Sequence, residues 1–263
     1  MCANTELIFA LAAPKGGSGT VPLRGERPIR ETMARKISVI IPVLNEQEVL
    51  DQTLTALQPL RRRGHEVIVA DGGSDDASAE LAQPLADRVI QAPRGRSRQM
   101  NAGASKATGD ILLFLHADTF LPERADDLIL TSLSERGRMW GHFDVRLSGK
   151  HPLFRIIECL MNWRSRVTGI ATGDRGIFMK REVFQSVGGF PDLDLMEDIA
   201  LSKILKKTGP PLCLRQRVRT SSRRWERGGI IRTVLLMWSL RLAYFLRTDP
   251  KNLARLYGRS GPS

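Results

Sequence analysis

Cysteine is scarce: Cys2, Cys159 and Cys213 are the only three in 263 residues, they lie far apart, and no CxxC pair occurs. That excludes a disulfide framework and a cysteine zinc site, and it points to a reducing, cytosolic setting. A long apolar run is missing as well. The nearest approach to the roughly 18 residues of a spanning helix is Ile230 to Leu246, which Arg232 and Arg241 interrupt and whose second half holds Trp238, Tyr244 and Phe245. It reads as an amphipathic helix, either docked on the core or lying in a membrane interface, where Arg beside Trp and Tyr is favoured. GxxxxGK[ST] is absent, and no GxGxxG follows the first strand-like run, so neither a P-loop nor a dinucleotide fingerprint is present.

Acids are short in one region only. From Leu212 to Ser263 two of them, Glu226 and Asp249, stand against twelve Lys and Arg, so +10 of the net +12 lies in this C-terminal stretch. Such a stretch suits phosphates, whether in a nucleotide, an anionic membrane surface or a nucleic acid. At the other end, Leu7 to Leu11 is apolar but follows Glu6, lacks a basic flank and runs into Pro14-Lys15-Gly16-Gly17. This is not the pattern of a secretory signal. Residues 1–34 are expected to be a disordered extension, with Met33 a plausible natural start.

With 42% hydrophobic residues, the remainder holds enough apolar surface for one substantial core. Short β-rich runs alternate with helical spacings. Ile37 to Ile41, closed by Pro42, precedes a helix over Glu46 to Leu60, and Glu66 to Ala70 precedes one over Ser74 to Leu85. A strand at Arg88 to Gln91 is followed by a helix at Ser97 to Ala107, and the buried strand Ile111 to Leu115 by a helix at Pro122 to Ser134. This alternation predicts an α/β fold with a doubly wound, mostly parallel sheet flanked by helices. Beyond Gly137 the pattern changes to an antiparallel-type strand at Trp140 to Leu147 and an amphipathic helix at Leu153 to Val167. A short strand at Gly176 to Met179 and a helix over Leu195 to Lys207 follow.

Carboxylates sit where predicted strands end. Asp71 follows the second strand, Asp118 follows Ile111 to Leu115, and Glu197-Asp198 opens a helix. In an open α/β sheet ligands bind beyond the carboxyl ends of the strands, so these acids are placed for a nucleotide, a metal or a proton. Asp71-Gly72-Gly73-Ser74 lets backbone approach a ligand closely, though the same residues also make good turns. Asp118 follows a strand too apolar for anything but a central position, so its charge must face a cleft or a partner. A divalent ion bridging a diphosphate would pair it, since Mg²⁺ is commonly held by one or two carboxylates plus phosphate and water. His116 projects from the same side. Gly173-Asp174-Arg175 offers a second acid and a base in the later half of the chain.

Six phrases occur in order: Ile41 to Glu46 (IPVLNE), Asp71 to Asp76 (DGGSDD), Arg98 to Gly103 (RQMNAG), His116-Ala117-Asp118, Glu197-Asp198 and Arg224-Trp225. Together they resemble the family 2 glycosyltransferases with the GT-A fold. The resemblance covers about residues 36 to 225. The wording around His116-Ala117-Asp118 and Ser222 to Glu226 is similar to the bacterial subgroup associated with radical-SAM/selenodomain proteins.

The resemblance implies the site. Asp71 would contact the nucleotide base, Pro42, Asn45 and Glu46 would line the base and ribose pocket, and Gly73, Arg98, Asn101 and Ala117 would border the nucleotide sugar. The DxD motif of the family reads His-Ala-Asp here, which leaves Asp118 as the ligand for Mg²⁺ or Mn²⁺ and puts His116 at the first position. Asp198, beside Glu197, would be the general base of an inverting displacement. Arg224, with Arg94, Arg96 and Arg98, would stabilise the leaving diphosphate. Ser stands where processive members carry the Gln of QxxRW before Arg224-Trp225, which implies a non-processive enzyme. Asp174 and Arg175 would meet the acceptor.

The expected organisation is an extension over 1–34, a GT-A domain over 35–225 and a basic amphipathic helical tail over 226–263. The GT-A domain divides into a nucleotide half to about 120 and an acceptor half from 121. The expected activity is sugar transfer from a nucleotide sugar to a hydroxyl or carboxyl acceptor, lipid-linked acceptors included, at or near the inner face of the cell membrane. Nucleic acid is not the expected partner. Two rivals are a sugar-nucleotide nucleotidyltransferase, which would place a Gly-rich loop where Pro42 to Glu46 stands, and a basic nucleic-acid or membrane-surface binding module, whose binding would be lost with salt. Sugar identity, acceptor identity and oligomeric state are not written in the sequence.

Overall fold

The computed structural model describes residues 35–246 and 248–259; the expected disordered extension and the Met33 start lie outside them. In chain order the elements are β1 (Ile37–Val43), α1 (Gln47–Ala56), α2 (Gln58–Arg62), β2 (Glu66–Asp71), α3 (Ser78–Ala82), β3 (Arg88–Gln91), α4 (Arg96–Lys106), β4 (Ile111–Phe114) and β5 (Thr119–Phe120). Then come α5 (Ala125–Glu135), β6 (Trp140–Leu147), α6 (Pro152–Thr168), a 3₁₀ turn at Gly173–Arg175, β7 (Ile177–Lys180) and α7 (Arg181–Ser186). The chain finishes with α8 (Glu197–Leu205), β8 (Leu212–Thr220), α9 (Arg223–Gly228), α10 (Ile230–Phe245) and α11 (Pro250–Arg259).

The strands form one sheet in the order β3-β2-β1-β4-β7-β6-β8-β5. The first four are parallel, β7 runs against both β4 and β6, β8 is parallel to β6, and the short β5 closes the edge antiparallel to β8. Every residue of β1 is buried, as a strand covered on both faces requires. Its alternation sorts the core. Ile37, Val39, Ile41 and Val43 join the cluster that includes Leu50, Leu54 and Ile129 of α1 and α5, while Ile40 faces Met100 of α4 and the cluster reaching Leu201 and Leu205 of α8.

Local chemistry moved several boundaries. Pro42 lies inside β1 because the ladder to β4 ends at Ile40↔Phe114, whereas pairing with β2 continues to Val43↔Asp71. A residue without an N–H is tolerated where only one neighbour is bonded. The helix expected over Glu46 to Leu60 divides into α1 and α2 around Leu57, with Pro59 in the first turn of α2. The helix expected from Ser74 begins only at Ser78, because Ser74 Oγ accepts from Asn45 N–H (3.0 Å) and Asp76 Oδ2 from Gln47 N–H (3.2 Å). Polar side chains near a helix start compete with the helix for the backbone. The pairing strand β8 carries no clean period-2 pattern: Arg215, Gln216 and Arg217 are all exposed, and the register shifts opposite Phe143/Asp144.

Strand order positions the site. From β1 the chain goes outward to β2 and β3, then crosses to the other side of β1 to make β4. A crevice opens beyond the carboxyl ends of strands at such a reversal. Pro42 to Glu46 leaves β1 on one side of it and His116 to Asp118 follows β4 on the other. The tail covers part of the remaining rim, since Leu240 of α10 and Leu253 of α11 are buried against Met196 and Ile199 at the start of α8.

Candidate active site

A cavity of about 1580 Å³ occupies this crevice. Its wall is drawn from all parts of the chain: Pro42 to Glu46, Arg94 to Arg96, His116 to Asp118, Thr172 to Asp174, Glu197-Asp198, Arg223 to Trp225 and one face each of α6 and α10. Two residues hold its nucleotide side in shape. The Gln99 amide donates to Val43 O (2.6 Å) and Ala70 O (2.9 Å), tying the ends of β1 and β2 together. Asn45, at φ 55°, accepts from Asp75 N–H through Oδ1 (2.8 Å), which joins the loops that follow those strands.

The acid cluster is built from several elements. Met196 takes a left-handed φ of 67° just before α8, a conformation that costs a non-glycine residue energy and turns Glu197 and Asp198 toward the cavity. Asp198 is fixed by two backbone donors: Oδ2 accepts from Gly173 N–H and Oδ1 from Ile199 N–H, each at 2.7 Å. Burial pushes its carboxyl up against the lowering effect of those two bonds. Glu197, 5% exposed, is pushed up to about 7 by burial and by the neighbouring Asp198 charge, with Arg96 opposing. Glu197, raised in this way, is poised to take a proton near neutral pH.

Across the cavity, burial raises Asp118, with Arg96 and Arg223 opposing. Glu46 is raised by burial and by Asp118, against its ion pair with Arg223 (3.3 Å). His116 is held neutral, its imidazole lowered to about 3 by burial and by Arg96. Its ring lies so close to Gly173 that a Cβ there would be 2.4 Å from Nε2, so Gly173 is the residue that lets the later half approach the His-Ala-Asp turn. Burial would raise Asp174 too, but Arg175, the Thr172 hydroxyl (2.6 Å) and Arg241 together hold it below the usual carboxylate range. Arg96 is raised despite burial, because Glu197, Asp118 and Asp198 all act on it.

The donor set suits a hard divalent cation. Asp118 and Glu46 are carboxylates whose charges oppose each other, and among the described residues no group of three or more His, Cys, Asp or Glu gathers as a closed metal cage. Carboxylate oxygens are the hard donors that hold such an ion together with diphosphate and water.

The structure places several of the expected residues in other contacts. Asp71 is buried and turned into its own loop, where it accepts from Gly73 N–H and Ser74 N–H (3.0 Å each) and from Ser74 Oγ (2.5 Å); neither it nor Gly73 reaches the cavity wall. Asn101 spends its amide on the Phe190 backbone, donating to O and accepting from N–H at 2.9 Å each. Arg175 is 0% exposed and bonds Asn162 Oδ1 (3.0 Å) behind the wall instead of meeting an acceptor. Arg98 reaches the rim but pairs with Asp192 (2.7 Å), and Arg224 stacks on the Tyr257 ring at 3.5 Å. The cations that act on Glu46, Asp118 and Glu197 are Arg96 and Arg223, with Arg96 acting on all three. Only the basic cluster Arg94, Arg96, Arg98 hinted at the first, and Arg223 was masked by its more conspicuous neighbour Arg224. Pro42, Asn45, Glu46, His116, Ala117, Asp118, Asp174, Glu197, Asp198 and Trp225 all line the cavity.

Glu197 makes a stability prediction. A carboxyl raised in the fold favours folding below its unfolded value of 4.5, and that advantage is lost as pH climbs through about 7. Glu197→Gln removes the cost of the buried charge. Its Tm should therefore exceed that of the unsubstituted protein at pH 8 by several degrees, at most about 3 kcal/mol, with the gap closing by pH 5. A gap independent of pH in thermal melts would contradict the assignment.

Known proteins match this chain in sequence and in fold. The model of the family described as Glycosyl transferase family 2 matches residues 38–186. The undecaprenyl-phosphate 4-deoxy-4-formamido-L-arabinose transferase of Salmonella choleraesuis (strain SC-B67) is 33% identical over 163 residues, which is 56% of this chain and 48% of that protein. The chain thus spans about half the length of the curated relatives it matches. Among solved structures, the mannosyltransferase PcManGT from Pyrobaculum calidifontis, in complex with GDP-Man and Mn²⁺, aligns at TM-score 0.57 and 22% identity over 81% of this chain and 62% of that one. S. aureus TarS 1-349 aligns at 0.58 and 17% over 71% and 60%. Glucosyl-3-phosphoglycerate synthase from Mycobacterium tuberculosis, with Mn²⁺, UDP and phosphoglyceric acid, aligns at 0.53 and 20% over 71% and 69%.

Proposed function

Because the chain belongs to glycosyl transferase family 2 and has the GT-A fold, we propose that it is an inverting, non-processive glycosyltransferase using a nucleotide-sugar donor. The observation that carries this reading is the meeting, in one cavity, of the Asp118 turn after β4 and the raised acids Glu197 and Asp198 at the start of α8. An oxygen of the acceptor attacks the anomeric carbon as its bond to the diphosphate oxygen breaks. The acceptor proton passes to Asp198, and the electron pair of the broken bond leaves on the diphosphate.

Pro42, Asn45, Glu46, His116 and Ala117 border the donor, with Asp71 acting through the loop it holds. Asp118 would hold Mg²⁺ or Mn²⁺, aided by Glu46; a bound ion supplies charge neutralisation for the leaving diphosphate. Arg96 and Arg223 face the same position from the protein side. Trp225 and Asp174 border the acceptor. The division into a nucleotide half to about 120, an acceptor half to 225 and a tail from 226 belongs to this proposal, as does membership of the radical-SAM/selenodomain-associated subgroup. A nucleotidyltransferase is disfavoured by Pro42 to Glu46, which offers no glycine to a triphosphate. A purely basic binding module gives no reason to gather buried acids around a cavity.

Peripheral contact with an anionic membrane is part of the same reading. Among the described residues no helix is long and apolar enough to cross a membrane. Yet Ile231, Leu235, Trp238, Leu242 and Phe245 form an exposed stripe on α10, and Ile156, Leu160, Trp163 and Val167 form another on α6. Apolar stripes with Trp beside arginines suit a headgroup interface.

The test is a donor screen. Purified protein should hydrolyse or transfer from at least one nucleotide sugar with Mg²⁺ or Mn²⁺ present, and lose that activity with a chelator. A full panel of nucleotide sugars left intact under both conditions, with no nucleoside diphosphate raising Tm, would sink the reading.

A further inference from the structure

Beside the cavity, three arginines from different elements come together. Arg164 lies on α6, Arg241 on α10, and Arg175 in the turn between them. Arg164 and Arg241 line the cavity, and Arg175 lies behind it. The Nε and Nη2 atoms of Arg164 are buried and have no hydrogen-bond partner among the described residues. A buried guanidinium without partners is costly, and a structure that keeps one signals a missing anion or water.

The electrostatics give the same answer. Arg164 is lowered to about 10 by burial and by repulsion from Arg241 and Arg175, so it stays charged at neutral pH in a site already rich in positive charge. Asp174 and Asp198 are the acids that act on it. Asp174 accepts from the Thr172 hydroxyl and is held charged by the nearby Arg175, and Asp198 accepts from two backbone N–H groups. Neither completes the Arg164 fork, whose geometry matches a phosphate or carboxylate.

The surroundings identify the kind of molecule. Outward from Arg164 and Arg241 the cavity is walled by Leu160, Trp163, Met237, Trp238 and Phe245. Trp163 is 62% and Trp238 65% exposed, so the apolar wall continues onto the surface as the two stripes already described. A cationic floor beside Asp198 and an apolar exit fit an anionic head on an apolar chain.

We infer that Arg164 and Arg241 form a binding site for a phosphate group carried by the acceptor, with the apolar part of that acceptor leaving between α6 and α10. The inference rests on the glycosyltransferase reading and deepens it by naming the chemistry of the acceptor. Arg164 supplies two donors on the cavity wall that lack partners among the described residues, as Arg175 Nε and Nη2 behind it also do, and Arg241 supplies a second charge. The reacting oxygen of the acceptor then lies near Asp198.

The test uses the full chain with UDP or GDP and Mn²⁺ at saturation, so that the donor side is already filled. Decyl phosphate, inorganic phosphate and decanol are titrated while tryptophan fluorescence is followed, since Trp163 and Trp238 border the site. Decyl phosphate should bind at least tenfold more tightly than decanol. Arg164→Gln and Arg241→Gln should each weaken it by about tenfold or more, and Arg164→Lys, which keeps the charge but loses the fork, should weaken it less than Arg164→Gln. Nucleoside diphosphate affinity should stay within about twofold in all three variants, which also shows that they fold.

If inorganic phosphate binds as well as decyl phosphate and responds equally to the two Gln variants, the arginine site stands and its ligand is a free or soluble phosphate. Decyl phosphate binding no better than decanol, or binding unchanged in both Gln variants, overturns the inference. Failure of UDP and GDP to bind the unsubstituted protein, by contrast, counts against the glycosyltransferase reading itself.

Discussion

Asp198→Asn is expected to lower sugar transfer by about 10³-fold while nucleoside diphosphate affinity stays within about twofold. The argument is geometric before it is electrostatic. Asn keeps an oxygen that can accept from Gly173 N–H, the contact that joins the start of α8 to the turn beside His116. The joint to that turn is therefore kept, and the bond from Ile199 N–H is the one given up. What is lost is the basicity that burial gives the carboxyl, and with it the acceptor of the proton released on transfer. Single-turnover rates with Asp198→Asn and Glu197→Gln, measured side by side, check the assignment. Full activity in Asp198→Asn with loss in Glu197→Gln would move the base to Glu197, which is pushed up to about 7 and lies next in the chain.

Asp118→Asn should produce a second large effect, a loss of about 10² to 10³ in metal-supported turnover, together with an opposite change in stability. In the metal-free protein the Asp118 charge is desolvated, and it further raises Glu46. A carboxyl raised in the fold stabilises the protein only below its unfolded pKa, and that contribution disappears as pH rises through its folded value. At pH 7 to 8 the Asn variant should therefore melt higher than the unsubstituted protein in the presence of a chelator. Mn²⁺ should raise the Tm of the unsubstituted protein with nucleoside diphosphate and leave that of the variant unchanged. Equal Mn²⁺ shifts in both proteins would remove Asp118 from the metal site.

The difference between the first and second halves of the chain in legibility has a physical cause. Strands β1, β2 and β4 are buried on both faces, so each must be a nearly unbroken apolar run, and an acid placed just beyond such a run is conspicuous. Asp118 and the Pro42 to Glu46 turn were readable for that reason. Strand β8 is exposed at Arg215, Gln216, Arg217 and Arg219, so its composition gives no such signal. Asp71 shows the limit from the other side. A carboxylate two residues before Gly73 and three before Ser74 can serve a ligand or its own turn, and only the folded loop shows three donors meeting on that one side chain.

The sequence alone determined the α/β architecture, the strand ends at which the acids stand and the resemblance to a glycosyltransferase family, because each depends on local pattern: apolar periodicity, turn residues and short motifs in order. Tertiary structure decided which charged groups face one another. Arg96 and Arg223 rather than Arg98 and Arg224 act on Asp118 and Glu46, Arg175 turns away from the cavity, and Arg164 keeps two buried donors without partners among the described residues. Desolvation and pairing are properties of the space around a side chain. That space is made by residues more than a hundred positions apart, such as Glu46 and Arg223, so no window of sequence contains it.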